Sequence, residues 1–216
     1  MSHFTVYVFT KEDGKDIEQL LAPYDESITY PPYIQYTKEQ AIAKTRKEIE
    51  DYKNGLYAEY IADPVAYIEK HQPSRKHLDY IKNEFPKRLN WTDEECYEEQ
   101  KQWYEEYNID EDGNLMSTYN PNSKWDWYQV GGRWNGNLIT KEGNNTNEDF
   151  VNQIDWEKTM VPFAFVTPDG KWYERGEMGW WAVVSNEKTE ENWNEEFRKA
   201  VEKYGDATVT VVDCHI

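Results

Sequence analysis

The densest concentration of chemistry-bearing side chains lies between Asn120 and Gly136, which reads Asn-Pro-Asn-Ser-Lys-Trp-Asp-Trp-Tyr-Gln-Val-Gly-Gly-Arg-Trp-Asn-Gly. If Gly131-Gly132 forms a two-residue hairpin turn, Val130 pairs with Arg133, Gln129 with Trp134 and Tyr128 with Asn135. Side chains alternate across a strand, so this register collects Asp126, Tyr128, Arg133, Asn135 and Asn137 on one face. Trp125, Trp127, Trp134 and Leu138 fall on the other and read as core. The first set suits a nucleotide, with a ring to stack on a base, a guanidinium to fork onto phosphate, and Asp126 or Asn135 to read polar edges. The alternative is the solvated outer face of a tight hairpin, with Asp126 and Arg133 as a weak surface pair. Lys124, Trp172 and Arg175 are secondary ligand candidates, the last two supplied by the hairpin around Asp169-Gly170.

A second group comes from the two ends. His3 opens an aromatic, β-branched run, and Asp213, Cys214 and His215 close another. If these runs pair antiparallel, His3 meets His215. Two His, one Asp and one Cys have the chemistry for acid–base work or for Zn²⁺. No Cys-x-x-Cys or His-x-x-x-His spacing accompanies them, and no metal is expected. Asn108 to Leu115 carries the oxygen ligands and glycine of the first half of a calcium loop. Tyr119 stands where the bidentate Glu is required, so the segment reads as an acidic turn. No Ser/His/Asp order, phosphate-binding glycine loop or His-Glu-x-x-His is present, and no cofactor is expected.

The elements that must position these groups change character along the chain. Thr37 with Gln40 and Thr92 with Glu95 form capping boxes, Asp63-Pro64 is an N-cap followed by proline, and Ser74 caps a further helix that Pro86 should stop. From about residue 119 the pattern is strand-like: Trp125 to Val130, Arg133 to Thr140, Val161 to Thr167, Lys171 to Glu174 and Gly179 to Ser185. Thr140 to Asp155 has no period and reads as a mobile loop. A last helix carries Trp193, Phe197, Ala200, Val201 and Tyr204 with Gly205 as its glycine cap, and Thr208 to Ile216 closes the chain as a strand. The reading is one α+β domain over 1–216, a mainly antiparallel sheet with a helical insertion at about 37–107 and a mainly β portion at about 119–216.

Composition bounds the partners. The 216 residues carry 24 Lys+Arg against 42 Asp+Glu, a net charge of -18, which repels nucleic acid and anionic lipid. Leu, Ile, Val and Phe supply only 39 residues, a level typical of disorder, but ten Trp and seventeen Tyr provide the missing burial area. No apolar run reaches membrane-span length and two distant cysteines form no disulfide framework, so a cytoplasmic protein is expected. Between Asp93 and Asp112, ten carboxylates face the single Lys101. This run reads either as a solvated helix face or as a decoy surface imitating DNA phosphates to occupy a host protein.

Four blocks carry a resemblance: Met1-Ser2-His3-Phe4-Thr5-Val6, Gln19 to Glu26, Asn120 to Trp134, and Thr210 to Ile216. Together they resemble a family of hypothetical proteins found in phages and bacteria. Where its members run from an apolar residue into glycine, this chain continues Lys11-Glu12-Asp13. The resemblance implies a phage or prophage origin. Joined to the Tyr128/Arg133/Asn135 face, it leads to the expectation of a phage-type accessory protein. That protein would bind a small nucleotide, an immune signalling nucleotide sequestered from host defence. Two further readings stay open: an acidic decoy for a host defence protein, and a nucleotide hydrolase built on His3, Asp213 and His215. A homo-oligomer is compatible with all of them.

Overall fold

A computed structural model describes residues 2–178 and 183–216, with only the backbone of Tyr107. The chain is α+β and divides into two units, one formed by the segments up to Tyr30 and from Tyr119 onward, the other by Pro31–Thr118.

The first unit is built on a mixed, mainly antiparallel six-stranded sheet. Its strands are β1 (His3–Thr10), β2 (Trp127–Val130), β3 (Glu148–Phe150), β4 (Ala164–Val166), β5 (Trp172–Glu174) and β6 (Thr208–His215). They lie in the order β2-β6-β1-β4-β5, with β3 also pairing β6 and only the β1–β4 pair parallel. The centre is the long antiparallel pair of β1 and β6, in register from His3 opposite His215 to Thr10 opposite Thr208. Both faces of this pair are covered, which is why its strands read as near-continuous β-branched and aromatic runs. On one face Tyr7, Phe9, Val209 and Val211 pack with Phe165 beneath the helix Glu190–Lys203, which contributes Trp193 and Phe197. On the other, Phe4, Val6, Val8, Val212 and Cys214 pack against Leu20, Leu21 and Trp125.

Several local expectations are revised. Trp127–Val130 pairs with β6 and not with Arg133 onward, because Gly131 and Gly132, at φ 74° and 53°, lead into a single 3-10 turn over Gly132–Trp134. The Thr140 to Asp155 segment is tied down by a short strand pair, Leu138–Ile139 with Asn145–Thr146, and by β3 on the central sheet. Gly205 is not left-handed, and the last helix ends on Tyr204. The expected strand Gly179 to Ser185 falls partly outside the described residues; its end, Val184–Ser185, pairs with Glu177–Met178.

The second unit is a set of short helices with one strand pair, Tyr33–Tyr36 against Leu115–Ser117. Its helix starts follow the caps legible in the sequence, with reciprocal side-chain bonds at Thr37/Gln40 and Thr92/Glu95. Pro86 does not stop its helix. A π-type turn over Tyr80–Glu84 precedes a new helical segment, Phe85–Arg88, and Pro86 sits in that segment's first turn, where its missing N–H is not needed. Four of the ten carboxylates of the acidic run are paired locally with cations: Asp93 with Arg46, Glu94 with Lys38, Glu98 with Lys101 and Glu99 with Arg88. Asp110 accepts from the backbone of Asp112 and Asn114 and from the Asn114 side chain, bonds that hold its carboxyl below the usual carboxylate range. No helix of the described residues is long and apolar enough to cross a membrane.

Candidate active site

The register of β1 and β6 sets His3 opposite His215 at one end of the sheet, and β2 adds Trp127 directly opposite His215. Strand alternation then places His3, Asp213, His215 and Trp127 on one face, while Cys214 turns to the other. Cys214 is fully buried among Phe4, Val212 and Trp125, and burial pushes its thiol well up, so it leaves the terminal cluster.

Two histidine–carboxylate couples result. His3 Nδ1 lies 2.9 Å from Asp213 Oδ1, and the other carboxylate oxygen of Asp213 accepts the backbone N–H of Arg133 at 2.9 Å. Asp213 is 2% exposed. His215 Nδ1 lies 2.6 Å from Asp126 Oδ1, and the backbone N–H of Asp126 donates to the His215 carbonyl. An ionised carboxylate only accepts, so each couple fixes a proton on Nδ1, and in the neutral imidazole the lone pair is then on Nε2. Nε2 of His3 has no partner among the described residues, on a side chain that is 11% exposed; Nε2 of His215 has none either and is buried. The two imidazoles meet edge to face with centroids 5.0 Å apart.

The turn after β2 is shaped around Asp213. A methyl group on Gly132 would overlap the Asp213 side chain, so only glycine lets the loop close over that carboxylate and present the Arg133 N–H to it. Asn147 fastens the same turn, donating to Asn135 Oδ1 at 2.7 Å and accepting from the Gly136 N–H at 2.6 Å.

The expected nucleotide face is therefore divided. Tyr128 lies on the opposite side of the sheet, half-buried against Trp125 with ring centroids 5.1 Å apart. Asn135 is occupied by the turn. Asp126 belongs to His215. Arg133 is exposed, its guanidinium is unpaired among the described residues, and its backbone remains bonded to Asp213. The secondary candidates lie elsewhere. Lys124 is 2.6 Å from Glu174, whose other oxygen accepts the Trp172 indole N–H, and Arg175 is paired with Glu187. Lys124 and Trp172 line a cavity of about 450 Å³ together with Tyr24 and Lys188. Trp172 lies on β5, at the opposite edge of the sheet from β2. The residue missed in sequence is Trp127, assigned to core as one of three neighbouring tryptophans: it is 42% exposed and lies nearly parallel to the His215 ring, 17° and 5.3 Å away.

Buried ion pairs contribute little to stability compared with apolar residues of the same volume. Asp213, 2% exposed, is such a costly buried charge in a strand that begins Thr-Val-Thr-Val-Val, whereas Asp126 of the second couple is 30% exposed. Among the described residues no group of three His, Cys, Asp or Glu side chains is disposed to hold a metal ion. In comparisons with known proteins, no family model, curated protein or solved structure matches the chain.

Proposed function

We propose that the protein is a phage-type accessory protein that acts on a small nucleotide by general acid–base catalysis, cleaving a phosphate ester or anhydride bond. The observation that carries this reading is the Asp213–His3 couple, a buried carboxylate orienting an imidazole whose Nε2 no described residue bonds. The roles follow from the atoms. His3 Nε2 takes a proton from water as the water oxygen bonds to phosphorus. The bond from phosphorus to the leaving oxygen breaks, and the same proton is returned to that oxygen. Asp213 holds the tautomer and stabilises the imidazolium in between. Arg133 offers its unpaired guanidinium to the phosphoryl oxygens.

Pure sequestration has less support. The Tyr128/Arg133/Asn135 face is not assembled, and Lys124 and Arg175 already neutralise carboxylates. The acidic-decoy reading is weakened by the local cations on Asp93, Glu94, Glu98 and Glu99.

The test is incubation with cyclic dinucleotides, cyclic ADP-ribose isomers, NAD and ATP, followed by thermal shift and chromatography of each mixture. The expected result is consumption of one nucleotide by the wild-type chain and its survival with a folded His3→Ala variant. A thermal shift with every nucleotide recovered intact would instead favour sequestration.

A further inference from the structure

Trp127 stands on the edge strand of the sheet, across from His215. One face of its indole is covered by the His215 imidazole, nearly parallel at 5.3 Å, and the His3 ring meets it at 81° with centroids 5.3 Å apart. With His215 stacked on the indole and His3 against it, 42% of the residue is still exposed. Large apolar side chains are normally buried, and Trp125, two residues away, is. The β2 backbone and the His215 stack fix the orientation of Trp127, so the exposed part of its indole is a preset surface beside the His3 ring, whose Nε2 no described residue bonds.

Building on the nucleotide reading, we propose that Trp127 is the residue that selects a nucleobase, stacking it on the exposed part of the indole while the attached phosphate reaches His3 and Arg133. The substrate class is then a purine nucleotide. A bicyclic base overlaps the bicyclic indole more fully than a pyrimidine does, and a sugar phosphate has no flat aromatic ring to place there. Stacking of a base on an aromatic side chain tolerates different bases but requires a flat π surface. His215, with Asp126 at its Nδ1, is the positioning residue: it supports the covered face of the indole.

The experiment measures binding of ATP, cyclic diadenylate, CTP and ribose 5-phosphate by calorimetry to the wild-type chain, Trp127→Phe and Trp127→Ala, with circular dichroism to check each fold. ATP or cyclic diadenylate should bind more tightly than CTP, and ribose 5-phosphate most weakly. Trp127→Ala should weaken purine binding roughly tenfold to a hundredfold, and Trp127→Phe should recover most of it. In turnover the loss should fall on KM more than on kcat. Unchanged purine affinity in Trp127→Ala would overturn the assignment of Trp127 while leaving the nucleotide reading in place. Absence of binding by any of the three nucleotides to the wild-type chain would overturn both.

Discussion

His3 and Asp213 are 210 positions apart in the chain and joined by a 2.9 Å contact between Nδ1 and a carboxylate that is almost wholly buried. The pairing of β1 with β6 makes the contact: Thr5 is the direct partner of Asp213, and His3 follows two residues along the same face. The second carboxylate oxygen is taken by the Arg133 N–H, so the acid that orients the imidazole is itself held from a third segment.

Asp213→Asn tests that relationship with little change of shape. An amide can offer its N–H to His3 Nδ1, which selects the tautomer with the proton on Nε2 and removes the base. Turnover should fall by about 10²–10⁴-fold, with the melting temperature reduced far less than by loss of the fold. Equal rates for the two proteins would remove Asp213 from the chemistry.

Gly132→Ala should destabilise the first unit. The added methyl overlaps the Asp213 side chain at a residue with φ 53°, so backbone strain adds to the clash. A cost of at least ~1–3 kcal/mol is expected in urea denaturation. Gly143→Ala is the control, since its φ is also positive and nothing lies within 4 Å of the new carbon; the difference between the two isolates the collision with Asp213.

Alkaline pH should destabilise the protein. Burial raises the Cys214 thiol well above its ordinary value and the Tyr7 phenol as well, and it pushes Tyr52 up to about 12. Each of these groups is neutral when protonated and holds its proton more tightly in the folded chain. The associated stability is present in full below the unfolded values, about 8.5 for Cys and 10 for Tyr, and is lost as pH rises through them toward the folded values. Denaturation midpoints should decline progressively above pH ~8.5, and native Cys214 should resist thiol reagents until the chain unfolds. Rapid labelling of Cys214 in the folded protein would contradict its burial.

What could be read in the residues divides along the range of the interactions. Caps at Thr37, Asp63, Ser74 and Thr92 act within one turn, and all four form. The antiparallel meeting of His3 and His215 was legible because both strands are long and each end carries its own polar group. The Gly131-Gly132 hairpin does not form because Trp127–Val130 has a better partner in β6, a strand some eighty residues away, and local turn chemistry does not report such competition. The expected roles of Trp127 and Tyr128 are exchanged: pairing with β6 sets Trp127 beside His215 and turns Tyr128 toward Trp125. Asp126 as the partner of His215 was hidden for the same reason. Asn147 lay in a stretch without periodicity, where nothing announces a side chain that bonds Asn135 and Gly136.

The most direct test of the central claim is the ¹⁵N spectrum of the His3 ring, assigned by comparison with His3→Gln and recorded with and without ATP and cyclic diadenylate. A protonated Nδ1 and an unprotonated Nε2 are expected, with the Nε2 resonance moving when a nucleotide is added. A proton on Nε2 in the free protein, with no response to either nucleotide, would contradict that claim.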